Sequence, residues 1–129
     1  MKFLHISDLH IGKYVNGYRM LDDQRYMLKR IVEIIKEKNP DALLIAGDIY
    51  DKSLPSAEAV ELFNSFMTEI AGLHGKTGLK TFVISGNHDS PERLAYARRF
   101  LENRNIHISP VYNGHIEPIV LSDAYGEVC

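Results

Sequence analysis

Three short apolar runs, each ending in a cluster of polar side chains, constrain this chain more than any other feature. The first is KFLHIS, running into DLH; the second is DALLIAGD, running into IYD; the third is LKTFVISGN, running into HD. Short runs rich in β-branched and aromatic residues, bounded by glycine or polar residues, predict strands. Between them the apolar spacing changes from that of a strand to that of a helix. Arg19–Lys38 carries Leu21, Leu28, Ile31, Val32 and Ile35 at helical spacing and closes at Asn39-Pro40. Pro55-Ser56 opens a second helix running to about Gly72, with Ser56 as its N-cap. Ser90-Pro91 opens a third over 91–103, with proline at the first position. NIHIS reads as a fourth strand. After Pro110, HIEPIVLSDAYGEVC reads as a hairpin strand, a turn and the start of a return strand. GKYVNGY, between the first strand and the first helix, reads as a loop. Strands alternating with helices predict an α/β fold, with a mostly parallel sheet and right-handed crossovers. The continuous apolar character of DALLIAGD predicts a strand buried on both faces.

In an open sheet of this kind, sites form beyond the carboxyl ends of the strands. The three polar clusters are therefore expected to meet along one edge. Asp8 and His10 are two residues apart, a spacing that lets both side chains face one point. Asp48 follows a glycine, where the backbone turns sharply, and a carboxylate has two oxygens with which to bridge two cations. Asn87 offers a neutral oxygen. Carboxylate, imidazole and amide together suit Mn²⁺, Fe²⁺ or Zn²⁺ better than a thiolate-preferring metal. Two such ions about 3.5–4 Å apart clamp a phosphate and activate water for in-line attack. His88, beside Asn87, is placed to donate a proton to a leaving oxygen, and Asp51 to hold its imidazole in the required tautomer.

Composition bounds the reading without sharpening it. A chain of 129 residues, 45% hydrophobic and 25% charged, suffices for one domain with a core. A net charge of −2 does not announce a nucleic-acid binder, although bound cations would invert the sign of an acidic site. The single cysteine, Cys129, excludes a disulfide within the chain and fits a reducing cytoplasm. The opening apolar run is too short for a signal peptide and Asp8 interrupts it. No stretch approaches a membrane span.

DLH, GDIYD and GNHD, in this order and each at a strand end, resemble the first three motifs of the calcineurin-like metallophosphoesterases. The run MKFLHISDLHIGK, with AGDIYDKSLPS and VISGNHDSPERL, is similar to the DNA nuclease branch of that family, and the likeness extends over essentially all 129 residues. The resemblance implies a layered fold and hydrolysis of DNA phosphodiesters in repair, recombination and replication, as exonuclease and endonuclease. It implies two divalent ions, Mn²⁺ foremost. Asp8 and His10 would bind the first, Asn87 the second, and Asp48 would bridge them. His88 would be the catalytic acid, with Asp51 its orienting partner. It also implies a working partnership with DNA and with an SbcC-type ATPase.

The family's later histidine motifs do not occur in this chain; Gly114-His115 is a superficial match. The expectation is therefore an N-terminal part, 1–129, of a longer nuclease, without its capping and ATPase-binding regions. Metal affinity and activity of this part alone should be weak. Lys13, Tyr14 and Asn16, in the loop after the first cluster, are candidates for contact with a DNA backbone. The second helix carries Ala59, Val60, Leu62, Phe63, Phe66, Met67 and Ile70, more apolar surface than one core-facing stripe needs. Two explanations stand: thorough burial against the sheet, or a homodimer through helices 56–72 and 91–103, which the resemblance favours. His5 is expected to be a buried, hydrogen-bonded strand residue. Two other functions stay open: a phosphatase or cyclic-nucleotide phosphodiesterase with the same site, and a non-catalytic dimerising module.

Overall fold

The structure, a computed structural model, describes residues 1–86, 89, 105–109 and 118–128. Asn87, His88, the helix expected over 91–103, His115 and Cys129 lie outside the described residues. In chain order the elements are β1 (Phe3–Ser7), β2 (Tyr14–Val15), β3 (Tyr18–Arg19), α1 (Leu21–Lys38), β4 (Ala42–Ala46), α2 (Ala57–Thr77), β5 (Lys80–Ile84), β6 (Ile106–Ser109), β7 (Leu121–Asp123) and β8 (Gly126–Val128).

β1, β4, β5 and β6 form a parallel sheet, as the alternation of strands and helices predicts, and they lie in that spatial order. The register aligns Ser7 with Ala46, Ala46 with Ile84, and Ile84 with Ser109. The strands therefore end level, and whatever follows each one emerges along a single edge.

Side-chain alternation divides the sheet into two unlike faces. Leu4, Ile6, Leu43, Ile45, Val83, Ile106 and Ile108 join the core built with Leu28, Val32 and Ile35 of α1 and Leu62, Phe66, Met67 and Ile70 of α2. The alternate positions are less covered. Phe3 is 44% exposed and Ile84 51%, and Leu44 and Phe82 are half-buried. Phe82 stacks on His107, with ring centroids 5.2 Å apart. β4 is thus buried on one face and only partly on the other. His5 lies on the less covered face and is exposed, against the expectation of a buried histidine.

Helix ends follow local chemistry. Asn39 takes a left-handed conformation (φ 44°) and its amide caps the Ile35 carbonyl. Ser56 accepts from the Ala59 amide, the N-cap its sequence position suggests. α2 passes through Gly72 and Gly75 and stops at Gly78 (φ 74°), five residues beyond the expected end. Buried Leu73 and the left-handed cap at Gly78 outweigh interior glycines that cost about 1 kcal/mol each. The apolar surplus of α2 is accounted for by the core: Leu62, Phe63, Phe66, Met67 and Ile70 are all buried. Its outer side carries Glu61, Asn64, Ser65, Thr68 and Glu69.

The segment expected to be a loop is a small hairpin. Asn16 (φ 50°) and Gly17 (φ 84°) are both left-handed, as a two-residue type I′ turn requires, and they join β2 to β3. β7 and β8 form the expected later hairpin, pairing Leu121 with Val128. The Met1 ammonium donates to Asp123 Oδ2 at 2.6 Å, tying this hairpin to the start of β1. Among the described residues, no helix is long and apolar enough to cross a membrane.

Candidate metal centre

The polar clusters after β1 and β4 are held together by continued backbone pairing. Beyond the last paired strand residues, Asp8 N donates to Gly47 O (3.2 Å), His10 N to Asp48 O (2.9 Å) and Ile11 N to Ile49 O (2.8 Å). An isolated parallel bridge between Ile11 and Tyr50 completes this extension. The Gly47 amide in turn donates to Ile84 O at 3.0 Å, which binds the second loop to the end of β5.

This extension is bent. Asp8 (φ 55°), His10 (φ 42°) and Asp48 (φ 47°) all occupy the left-handed region. That conformation is uncommon for residues with a Cβ and concentrates at functional sites. It turns the three side chains toward one another, so that ligand atoms of Asp8, His10 and Asp48 all lie within 4.8 Å of each other. The side chain of Asp8 is 66% exposed and that of His10 22%, so the group is open to an entering ion and its waters. Two carboxylates and one imidazole form a donor set for a borderline divalent cation such as Mn²⁺, Fe²⁺ or Zn²⁺, and the residues present therefore fit such an ion.

Asp51 joins the group from one side. Its Oδ1 lies 3.6 Å from His10 Nδ1, while His10 Nε2 lies 4.0 Å from Asp8 Oδ1. A carboxylate on the far nitrogen of an imidazole fixes its tautomer and presents the other nitrogen to a metal. Among the described residues Asp51 thus faces His10. Its expected pairing with His88, and the ligand role of Asn87, involve residues outside those described.

Two buried side chains to which the sequence assigned no role hold these loops. Gln24 of α1 donates through Nε2 to Leu9 O (3.2 Å) and His10 O (2.7 Å), and its Oε1 accepts from Gly12 N (2.9 Å). Asp89, 5% exposed, accepts from Tyr50 N at 2.9 Å through Oδ1, and from Ile49 N at 3.1 Å and Gly86 N at 2.8 Å through Oδ2. A glutamine within an amphipathic helix and the last letter of GNHD are the signals that the sequence offers for them. The loops after β4 and β5 also cross where neither has room for a side chain. A Cβ on Gly47 would meet Gly86 Cα at 3.0 Å, and one on Gly86 would fall on the amide and carboxylate of Asp48.

Lys13, Tyr14 and Asn16 lie exposed on and beside the β2–β3 hairpin, next to this group but outside it. Tyr14 also lines a groove of about 310 Å³ that borders Asp51, together with Arg19, Lys52, Leu54 and Glu58. Arg19 forms an ion pair with Glu58 across it.

The family described as calcineurin-like phosphoesterase matches residues 1–126. A protein of Staphylococcus epidermidis, named as one of the subunits of the nuclease SbcCD, is 38% identical over 122 residues, which cover 95% of this chain and 32% of that protein. Its namesake in Staphylococcus saprophyticus is 35% identical over 123 residues, again 95% of this chain and 32% of the relative. The chain thus spans about a third of the length of these relatives.

Proposed function

The chain belongs to the calcineurin-like phosphoesterase family, and from that premise we propose that it carries the first part of a two-cation centre for hydrolysing DNA phosphodiesters. Asp8 and His10 would hold one cation and Asn87 the other, with Asp48 shared between them; Mn²⁺ is the favoured ion. The observation that carries this reading is the convergence of Asp8, His10 and Asp48 ligand atoms within 4.8 Å at the ends of two paired parallel strands. Cations bound there would polarise the phosphate and make an attacking water available near neutral pH.

The remaining roles belong to the chain's own groups. His88 donates a proton to the departing oxygen. Asp51 orients the His88 imidazole; among the described residues its carboxylate lies 3.6 Å from His10 Nδ1, longer than a hydrogen bond. A nucleic acid is favoured over other phosphoesters because both relatives are named as parts of a nuclease, and DNA because the motif runs resemble the DNA nuclease branch of the family. Lys13, Tyr14 and Asn16, exposed on and beside the β2–β3 hairpin, are the proposed contacts to a DNA backbone. In the longer protein, a partner ATPase of the SbcC type would engage regions beyond this chain, in the cytoplasm. Pairing of two copies through α2 would have to use its outer Glu61, Asn64, Ser65 and Thr68, since its larger apolar residues are in the core and Val60 is packed against it.

The test is Mn²⁺ binding by calorimetry, paired with cleavage of a labelled DNA duplex and of bis(p-nitrophenyl) phosphate. Wild-type chain should bind Mn²⁺, and Asp48→Asn should weaken binding at least tenfold. His88→Ala should retain binding and lose cleavage, in this chain or in its full-length form, and EDTA should abolish cleavage. Cleavage that persists in EDTA, or Mn²⁺ binding indifferent to Asp48→Asn, would overturn the proposal.

A further inference from the structure

We infer that Asp89 is a positioning residue of the centre, clamping the loop that carries Asp48 to the backbone at Gly86, which precedes the proposed ligand Asn87 in sequence. The inference rests on the metal-centre reading for its purpose, and on geometry for its substance. No other Asp or Glu among the described residues is buried. Removing a carboxylate from water is unfavourable unless hydrogen bonds replace its hydration. Here three backbone amides do so, and their places in the chain are specific. Ile49 and Tyr50 directly follow Asp48; Gly86 directly precedes Asn87. Asp89 itself follows His88. The carboxylate therefore sits between the two loops, bonded on both sides to neighbours of the proposed ligands.

The surroundings show why a clamp is needed. Gly47 and Gly86 approach so closely that the loops touch backbone to backbone: a Cβ on Gly47 would meet the Gly86 α-carbon and amide, and a Cβ on Gly86 would fall on Asp48. With no side chains at this crossing, apolar packing cannot set the spacing. Hydrogen bonds to one shared carboxylate can. Both oxygens are taken up by amides, so Asp89 acts through Asp48 and Asn87 rather than as a ligand. Groups of this kind behind metal ligands typically influence affinity by tenfold or more.

The experiment compares wild-type, Asp89→Asn and Val32→Ala chains, the last a core substitution in α1 that lowers stability without touching the loops. Amide hydrogen exchange and nuclear Overhauser contacts between Gly47 and Gly86 α-protons report the clamp without metal; Mn²⁺ titration reports its consequence. An amide group at position 89 turns a donor toward amide donors. Asp89→Asn should therefore lose protection at Ile49, Tyr50 and Gly86, lose the Gly47–Gly86 contact, and bind Mn²⁺ about tenfold more weakly or worse. Val32→Ala should keep all three signatures. If Asp89→Asn does not fold, Asp89→Ala carries the same comparison, because it removes both acceptors without adding a donor. A folded Asp89 variant that keeps the Gly47–Gly86 contact, or binds Mn²⁺ like wild type, overturns the inference. Failure of the wild-type chain to bind Mn²⁺ instead counts against the metal centre. The loop contact in the variant then still decides whether Asp89 positions these loops.

Discussion

Six non-glycine residues among those described have left-handed backbones, and they divide by chemistry. Asn16, Asn39 and Asn105 are asparagines, the residue type that tolerates this region best. The others are Asp8, His10 and Asp48, the group that converges as candidate ligands. Turning at these positions brings side chains from two strands to one point, and the turn is opposed by Cβ sterics of about 1–2 kcal/mol per residue. The stability of the chain and its capacity to bind metal are then in conflict at the same atoms. Asp8 offers the cleanest test because its side chain is mostly exposed. Asp8→Gly should leave the metal-free chain as stable as wild type or more stable by up to about 1 kcal/mol, while Mn²⁺ affinity falls. Asp8→Val, whose branched Cβ suits the left-handed region poorly, should destabilise by about 1–2 kcal/mol. Urea denaturation without metal measures both. A glycine variant less stable than wild type by more than about 1 kcal/mol would mean that position 8 is not strained.

At the level of elements, α1 does more than cover the sheet. Its Gln24 reaches the main chain of the first loop at Leu9, His10 and Gly12, filling gaps that a bent strand extension leaves in its hydrogen bonding. Gln24→Leu keeps the volume and removes every partner. The Leu9 carbonyl and the Gly12 amide lose the bond that Gln24 supplies, while the His10 carbonyl keeps the Lys13 amide at 3.1 Å; the change should cost about 1–3 kcal/mol and loosen His10, weakening Mn²⁺ binding as well. Denaturation together with metal titration checks this, and loss of stability with intact Mn²⁺ affinity would restrict Gln24 to a structural role. Gln24 also marks the limit of what the sequence discloses. The strands, the parallel order and the convergence of Asp8, His10 and Asp48 follow from periodicity and from motifs at strand ends. Gln24 does not, because a glutamine at a core-facing position looks like an exposed one until the loop it bonds is in place. The β2–β3 hairpin has its signal in Asn16-Gly17, but its strands are two residues each, too short for alternation to register. The full length of α2 is hidden because glycines at 72 and 75 resemble a stop, whereas burial of Leu73 is a tertiary fact. The exposure of His5 is hidden for a related reason: its neighbours fit a strand, but which face of the sheet is covered depends on where both helices dock.

Across the whole molecule, the sheet is covered by α1 and α2 on one side, and the distant β7–β8 hairpin is tied back to β1 by its first residue. Electrostatics makes that tie dependent on pH. The hydrogen bond and charge of Asp123 raise the Met1 ammonium above its ordinary value, and the ammonium, aided by the Tyr125 amide, lowers the Asp123 carboxyl. A raised ammonium contributes stability fully below the ordinary amino-terminal value of about 8, and that contribution fades as pH rises through the higher folded value. A lowered carboxylate contributes fully above about 4, and that contribution fades as pH falls through the lower folded value. The pair should therefore hold the hairpin best between about pH 4 and pH 8. Asp123→Asn removes the charge and little volume. The difference in melting temperature between wild type and this variant should be largest near pH 6, and should shrink toward zero in strong alkali and in strong acid. Acetylation of the Met1 amino group should reproduce the variant at neutral pH, because it removes the other half of the same pair. A melting difference that stays constant to about pH 10 and beyond would show that Asp123 acts through the turn at Tyr125 alone. Because the tie joins elements more than 100 residues apart in sequence, its loss should also appear as a difference between regions. Amides of β7 and β8 should exchange faster while those of β4 and β5 remain protected, since the latter depend on the core beneath the helices and not on the amino terminus.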